Sequence, residues 1–119
     1  MTQPFKKVEQ SMTTHVVVYV PSTIRNSNVS PKEFQNRIDE VTSYLTRIFG
    51  GTTKITATGT YTGKSGKVTK ERMSKIEIFT KPDEWEAKKD NLYKFLKLKK
   101  KAWKQEEMAV EYEEDMFWV

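Results

Sequence analysis

Between residues 54 and 62 the chain alternates: Ile55, Ala57, Gly59 and Tyr61 are separated by Lys54, Thr56, Thr58, Thr60 and Thr62. A period of two is that of a strand with one apolar and one threonine-rich face. Gly63-Lys64-Ser65-Gly66 follows as a turn, because glycine takes positive φ at no steric cost. The returning strand, from about 67 to 79, changes from VTKER to KIEIF, an exposed start and a buried end. Together they form one long β-hairpin from Lys54 to Phe79, whose apolar face is expected to lie against helices.

Upstream, His15 to Val20 reads HVVVYV, a β-branched run that predicts a central strand covered on both faces, ended by Pro21. The segment PSTIRNSNVS is a loop of turn-forming residues. Ser30-Pro31-Lys32-Glu33 then starts a helix, with Ser30 as N-cap, Pro31 in the first turn and Glu33 closing a capping box. Phe34, Ile38, Val41, Leu45 and Ile48 recur at spacings of four and three, and Gly50 ends the stripe, so the helix runs from about 31 to 49. Pro82-Asp83-Glu84 opens a second helix with acids in its favourable first turn. Trp85, Leu92, Phe95, Leu96 and Trp103 share one side of it, and Lys94, Lys97, Lys101 and Lys104 the other. The chain closes with two short strand-like runs, MAVEYEE and DMFWV, around Glu114 and Asp115.

The order strand, helix, strand, strand, helix, strand is the split βαβ arrangement: an α+β, ferredoxin-like fold with an antiparallel sheet, two helices on one face and a short extra C-terminal strand. Residues 1–14 are expected to form a flexible arm and 15–119 one domain. The second sheet face is left open, with Val17, Tyr19, Thr56, Thr58 and Thr60 as its expected occupants. An open face bearing apolar groups marks a partner or a ligand.

Composition narrows the chemistry. The 119 residues contain no cysteine and one histidine, which removes disulfides, thiolate metal sites and a cysteine nucleophile, and no metal or cofactor is expected. No apolar run approaches the roughly 20 residues that span a bilayer, and the first 14 residues lack the apolar centre of a signal peptide, so a cytoplasmic protein without membrane contact is expected. Residues 88–104 hold eight lysines and one acid, a net +7 within a total of +5, which leaves −2 for the rest. Six acids between Glu106 and Asp115 are placed to balance that helix, within the chain or across a dimer.

Gly63-Lys64-Ser65 resembles the end of a phosphate-binding loop, but Thr58 stands where the motif needs its first glycine, and a strand follows where a helix is required. No serine sits in a nucleophile elbow, and no acid lies in an apolar run that would raise its pKa, so no enzyme is expected. Lys64, Lys67, Lys70 and Arg72 line the hairpin tip and its exposed strand, and Arg25, Asn26, Ser27 and Asn28 follow the first strand. Such groups bind phosphates through charge-assisted hydrogen bonds.

With these segments placed, the chain resembles a widespread group of short, uncharacterised proteins of bacteriophages and mobile elements. The resemblance rests on VPST at 20–23, LTRIFGG at 45–51, TATGTYTGKSGKVTKE at 56–71 and QEEMAVEYEEDMFWV from Gln105, and covers most of the chain in order. It implies a phage or prophage product acting in a bacterial cytoplasm, and brings no activity or site with it. The expectation is therefore a non-catalytic phage-type binding protein that sequesters an anionic, cyclic nucleotide defence signal, with Arg25, Tyr61, Lys64, Lys70 and Arg72 as candidate pocket residues. Two alternatives stand beside it. One is a protein-interaction module acting as a homodimer on a host or phage protein, within a general expectation of a homo-oligomer. The other, less favoured, is a nucleic-acid accessory protein using Lys94, Lys97, Lys101 and Lys104.

Overall fold

The computed structural model describes residues 4–8, 10–25 and 27–119. Residues 1–3 and 9, part of the expected N-terminal arm, and Asn26, grouped above with the anion-binding loop, lie outside the described residues. β1 (Thr14–Pro21) is followed by a short hairpin, β2 (Thr23–Ile24) and β3 (Ser27–Asn28). Then come α1 (Pro31–Phe49), the long hairpin β4 (Thr53–Thr62) and β5 (Val68–Thr80), α2 (Pro82–Ala102), β6 (Ala109–Tyr112) and β7 (Asp115–Trp118). The main sheet is antiparallel in the order β4-β5-β1-β6-β7, the split βαβ topology extended by one edge strand. The β2-β3 hairpin forms where the sequence predicts only a loop.

Local chemistry explains the boundaries. Ser30 caps α1 by accepting the Glu33 amide at 3.1 Å, and Gly50 ends the helix at φ 94°, where its amide reaches the Thr46 carbonyl. The Glu33 carboxylate turns instead to Arg37. β6 and β7 are joined by Glu113 and Glu114, both at positive φ (49° and 73°), the backbone of a primed two-residue turn whose twist matches the strands.

Both helices pack on one face of the sheet. Val16, Val18, Val20, Ile76 and Ile78 meet Ile38, Val41, Leu45 and Phe49 of α1, and Leu92 and Leu96 of α2. Each such side chain contributes about 1.5 to 3 kcal/mol when fully buried. The helices are joined by Tyr44 and Phe95, whose rings stack at 3.9 Å.

The hairpin lies the other way round from the expectation. Ser74, Ile76 and Ile78 face the helices, and the register pairs Thr56 with Ser74 and Lys54 with Ile76. Thr56, Thr58 and Thr60 therefore share the helix side, while Ile55, Ala57, Gly59 and Tyr61 stand on the open face. Because side chains alternate, the buried pattern of β5 fixes both strands at once, and β4, at the sheet edge, follows. Val17 and Tyr19 do lie on the open face, and Val17 is buried between its register partners Glu77 and Glu111.

Candidate functional site

The open face carries a cleft of about 840 Å³. Tyr19 and Pro21 of β1 and Met73 of β5 form its floor, with Tyr61 at one end and Met116 and Trp118 of β7 at the other. Its rim is built from two irregular segments, the β2-β3 hairpin and the stretch from Lys104 to Met108 between α2 and β6. Three carboxylates (Glu71, Glu106 and Glu107) and two cations (Arg25 and Lys104) line it. Arg25 and Lys104 both hold left-handed backbone, φ 55° and 53°. For residues with a Cβ this conformation is sparsely populated, and such strain clusters at ligand sites.

Glu71 is the best-placed charged group. It stands on the open face of β5, half-buried, and accepts a hydrogen bond from the Thr23 hydroxyl at 2.8 Å. The Ser22 hydroxyl donates to the Arg72 carbonyl one residue along, tying the same segment to β5. Tyr19 donates to Glu111 Oε1 at 3.0 Å, with Lys75 Nζ over its ring at 5.4 Å. Burial raises the Tyr19 phenol above its ordinary value, and the Glu111 bond adds to the rise, with Lys75 opposing it. The phenol therefore stays protonated and fixed through the physiological range. Further along the same face His15 contacts Glu77 at 2.9 Å and stacks on Phe79, beyond the cleft lining.

Of the residues singled out in the sequence, Arg25 and Tyr61 line the cleft. Lys64 sits at the exposed hairpin tip, and Lys70 and Arg72 project from the opposite face of β5, alternate to Glu71 and Met73. Lys94, Lys97 and Lys101 are exposed on α2 away from the cleft, whereas Lys104, just past the helix end, joins its rim. Sequence reasoning missed Glu71, Thr23, Met73, Gln105 and Trp118. Alternation on β5 was the available signal, since Glu71 and Met73 share the parity of Lys75 and Glu77 rather than that of the buried Ile76 and Ile78. Among the described residues no cluster of three or more His, Asp or Glu side chains is placed to hold a metal, and no helix is long and apolar enough to cross a membrane.

The chain is a small α+β fold whose open sheet face carries a cleft with mixed charge and aromatic walls. No family model and no curated protein matches the chain. Two solved structures share its fold. One is a phage SAM lyase in complex with S-methyl-5'-thioadenosine (TM-score 0.62, 17% identity, 95% of each chain covered). The other is a phage SAM lyase in the apo state (TM-score 0.64, 16% identity, 97% of this chain and 94% of that one). The expectation of a non-catalytic sequestering protein is corrected by these structures: this architecture is one on which an enzyme is built. The cleft residues come from distant segments and form no nucleophile or acid–base motif in contiguous sequence, so nothing in the sequence marked such an architecture.

Proposed function

We propose that this chain is a lyase acting on SAM, the sulfonium nucleoside S-adenosylmethionine, with the open-face cleft as its active site. One observation carries the reading. The whole-chain fold match to a lyase holding S-methyl-5'-thioadenosine coincides with a cleft that offers a carboxylate, an arginine and aromatic rings.

The chemistry follows from the product. S-methyl-5'-thioadenosine keeps the methyl and adenosyl carbons, so the bond that breaks joins sulfur to the γ-carbon of the amino-acid arm. Its electron pair stays on sulfur, turning a sulfonium into a neutral thioether. A lyase adds no water, so the γ-carbon takes its new pair from the arm itself. The arm's carboxylate oxygen closes a five-membered lactone, and no proton has to move. A positive and a negative charge are annihilated in that step, and a water-poor site favours charge loss.

Each part of the cleft has a role in this reading. Met73, Met116 and Trp118 supply apolar walls. Glu71, held by Thr23, fixes the arm's ammonium and so turns its carboxylate onto the γ-carbon. Arg25 draws the carboxylate to the rim. Tyr61, 52% exposed, offers its ring to adenine. A reaction whose nucleophile belongs to the substrate asks the protein for shape and charge rather than for a triad.

The resemblance to short phage and mobile-element proteins supports an anti-defence setting, since destroying SAM deprives host modification systems of their methyl donor. A homo-oligomer belongs to the same reading, supported by Ile55, Phe79 and Trp118, at least half exposed on the open face, and light scattering measures it.

Incubating the purified protein with SAM is expected to release S-methyl-5'-thioadenosine and the lactone in equal amounts, with no oxygen from labelled water in the lactone ring. S-methyl-5'-thioadenosine at a hundred times its Kd is expected to stabilise the fold by about 2.7 kcal/mol. Release no faster than in buffer, with no thermal shift, rejects the reading.

A further inference from the structure

Arg37 of α1 has no place in the cleft wall, yet it is 1% exposed and one of its terminal nitrogens bonds two carbonyls at the cleft. Nη1 donates to the carbonyls of Pro21 at 2.9 Å and Thr23 at 3.1 Å. Nε reaches Glu33 Oε1 at 3.4 Å, and the group lies over the Trp103 ring at 5.1 Å. Nη2 is buried without a partner. Gln105 converges on the same point, donating to the Thr23 carbonyl at 2.6 Å and the Trp103 carbonyl at 2.9 Å. Three elements distant in sequence thus meet at one carbonyl.

Burying a guanidinium is unfavourable, and an apolar residue of similar volume gives equal or better stability at many such positions. What an apolar residue lacks is a way to bond main-chain oxygens in a segment with few ladder partners. The β2-β3 hairpin is such a segment, since its strands are two residues each and are too short to hold themselves. Its own ladder is supplemented by the bond from the Val29 amide to Ser22 (2.8 Å), the Ser22 hydroxyl on β5, and Thr23. Thr23 matters most, because its carbonyl is gripped by Arg37 and Gln105 while its hydroxyl orients Glu71.

We propose that Arg37 is a positioning residue for the cleft: acting through Thr23, it sets the carboxylate of Glu71 and the placement of Arg25, with Gln105 as second anchor. The catalytic part of this inference rests on reading the cleft as the lyase site, and the anchoring part does not.

The test joins amide hydrogen exchange with kinetics on Arg37→Met, Arg37→Lys and Thr23→Val. Arg37→Met is expected to speed exchange at the Val29 amide about tenfold or more, while the Gly63 amide, bonded to Lys67 in the distant hairpin turn, keeps its wild-type rate. Arg37→Lys, reaching one carbonyl instead of two, is expected to fall between, and it decides the matter should the Met variant fail to fold. Thr23→Val is expected to leave folding intact and lower kcat for S-methyl-5'-thioadenosine release by about ten- to a hundredfold with little change in KM. Arg37→Lys is expected to recover part of the kcat lost in Arg37→Met, each taken per folded molecule well below its melting temperature, where an effect on stability alone leaves kcat unchanged.

Wild-type exchange at Val29 in both folded Arg37 variants overturns the anchoring. Wild-type kcat in Thr23→Val, with an active parent, overturns the link to Glu71. A parent that releases no product while Val29 loosens as expected removes the lyase reading and leaves the anchor standing.

Discussion

Ile78 and Phe79 are neighbours on β5, and one is 1% and the other 50% exposed. The difference runs the length of the sheet. On the helix side, Val16, Val18, Val20, Ile76, Ile78 and Val110 bury against α1 and α2. On the open side the same strands carry Tyr19, Glu71, Met73, Lys75, Glu77 and Glu111, polar or large groups, among which Tyr19 bonds Glu111 and lies under Lys75. One side holds the chain together, and the other is free to hold something else. The packed core and the cleft are therefore separated by a single step along the backbone.

Neighbouring substitutions test that separation most severely. Ile78→Ala is expected to cost about 2 to 5 kcal/mol of unfolding free energy, as large-to-small changes in a packed core do. Phe79→Ala, which gives up a half-exposed ring stacked on His15 at 4.5 Å, is expected to cost less than about 1.5 kcal/mol by urea denaturation. Equal costs break the comparison.

Glu71→Gln sharpens it in the opposite sense. The variant is expected to melt with the wild type yet lose about ten- to a hundredfold in kcat/KM for SAM, the worth of a hydrogen bond to a charged group. Tyr19→Phe removes the bond to Glu111, and about 1 kcal/mol at neutral pH is expected to go with it. Because the Tyr19 proton is held more tightly in the folded state, its stabilisation is fully present below about pH 10 and lost as the pH rises through the folded value. The wild-type minus variant stability difference is thus expected to shrink above pH 10, measured by denaturant titration at each pH. The smallest effect belongs to the outer layer. Glu40 pairs with Lys99 between the helices at a partly exposed position, and Glu40→Gln is expected to change stability by less than about 1 kcal/mol.

The helix side of this comparison was legible in the sequence. A capped, evenly striped α1, a β-branched β1 and a glycine turn state their places locally, and the split βαβ order followed from them. The facing of the long hairpin was not legible from β4 alone. Its apolar residues are too few to outweigh the register imposed by Ile76 and Ile78, which a reading of one strand at a time does not weigh. The cleft was half legible. Arg25 and Tyr61 carry visible chemistry, whereas Glu71 looks like any acid in a charged strand until Thr23, 48 residues away, is placed beside it. The β2-β3 hairpin was hidden for a similar reason, because what stabilises it is a guanidinium on a helix face that periodicity assigns no role.

One small feature makes the cleft adjustable. A methyl group added at Gly59 would stand 2.6 Å from the terminal carbon of Met73, the flexible end of a side chain that can swing aside. The empty position on β4 is therefore a reserve of volume, lent to the floor of the cleft from the neighbouring strand. A single carbon at that edge can resize the cleft by displacing Met73, with Glu71 and Arg25 left in place. On the lyase reading proposed above, selectivity among nucleosides of different bulk is tuned there.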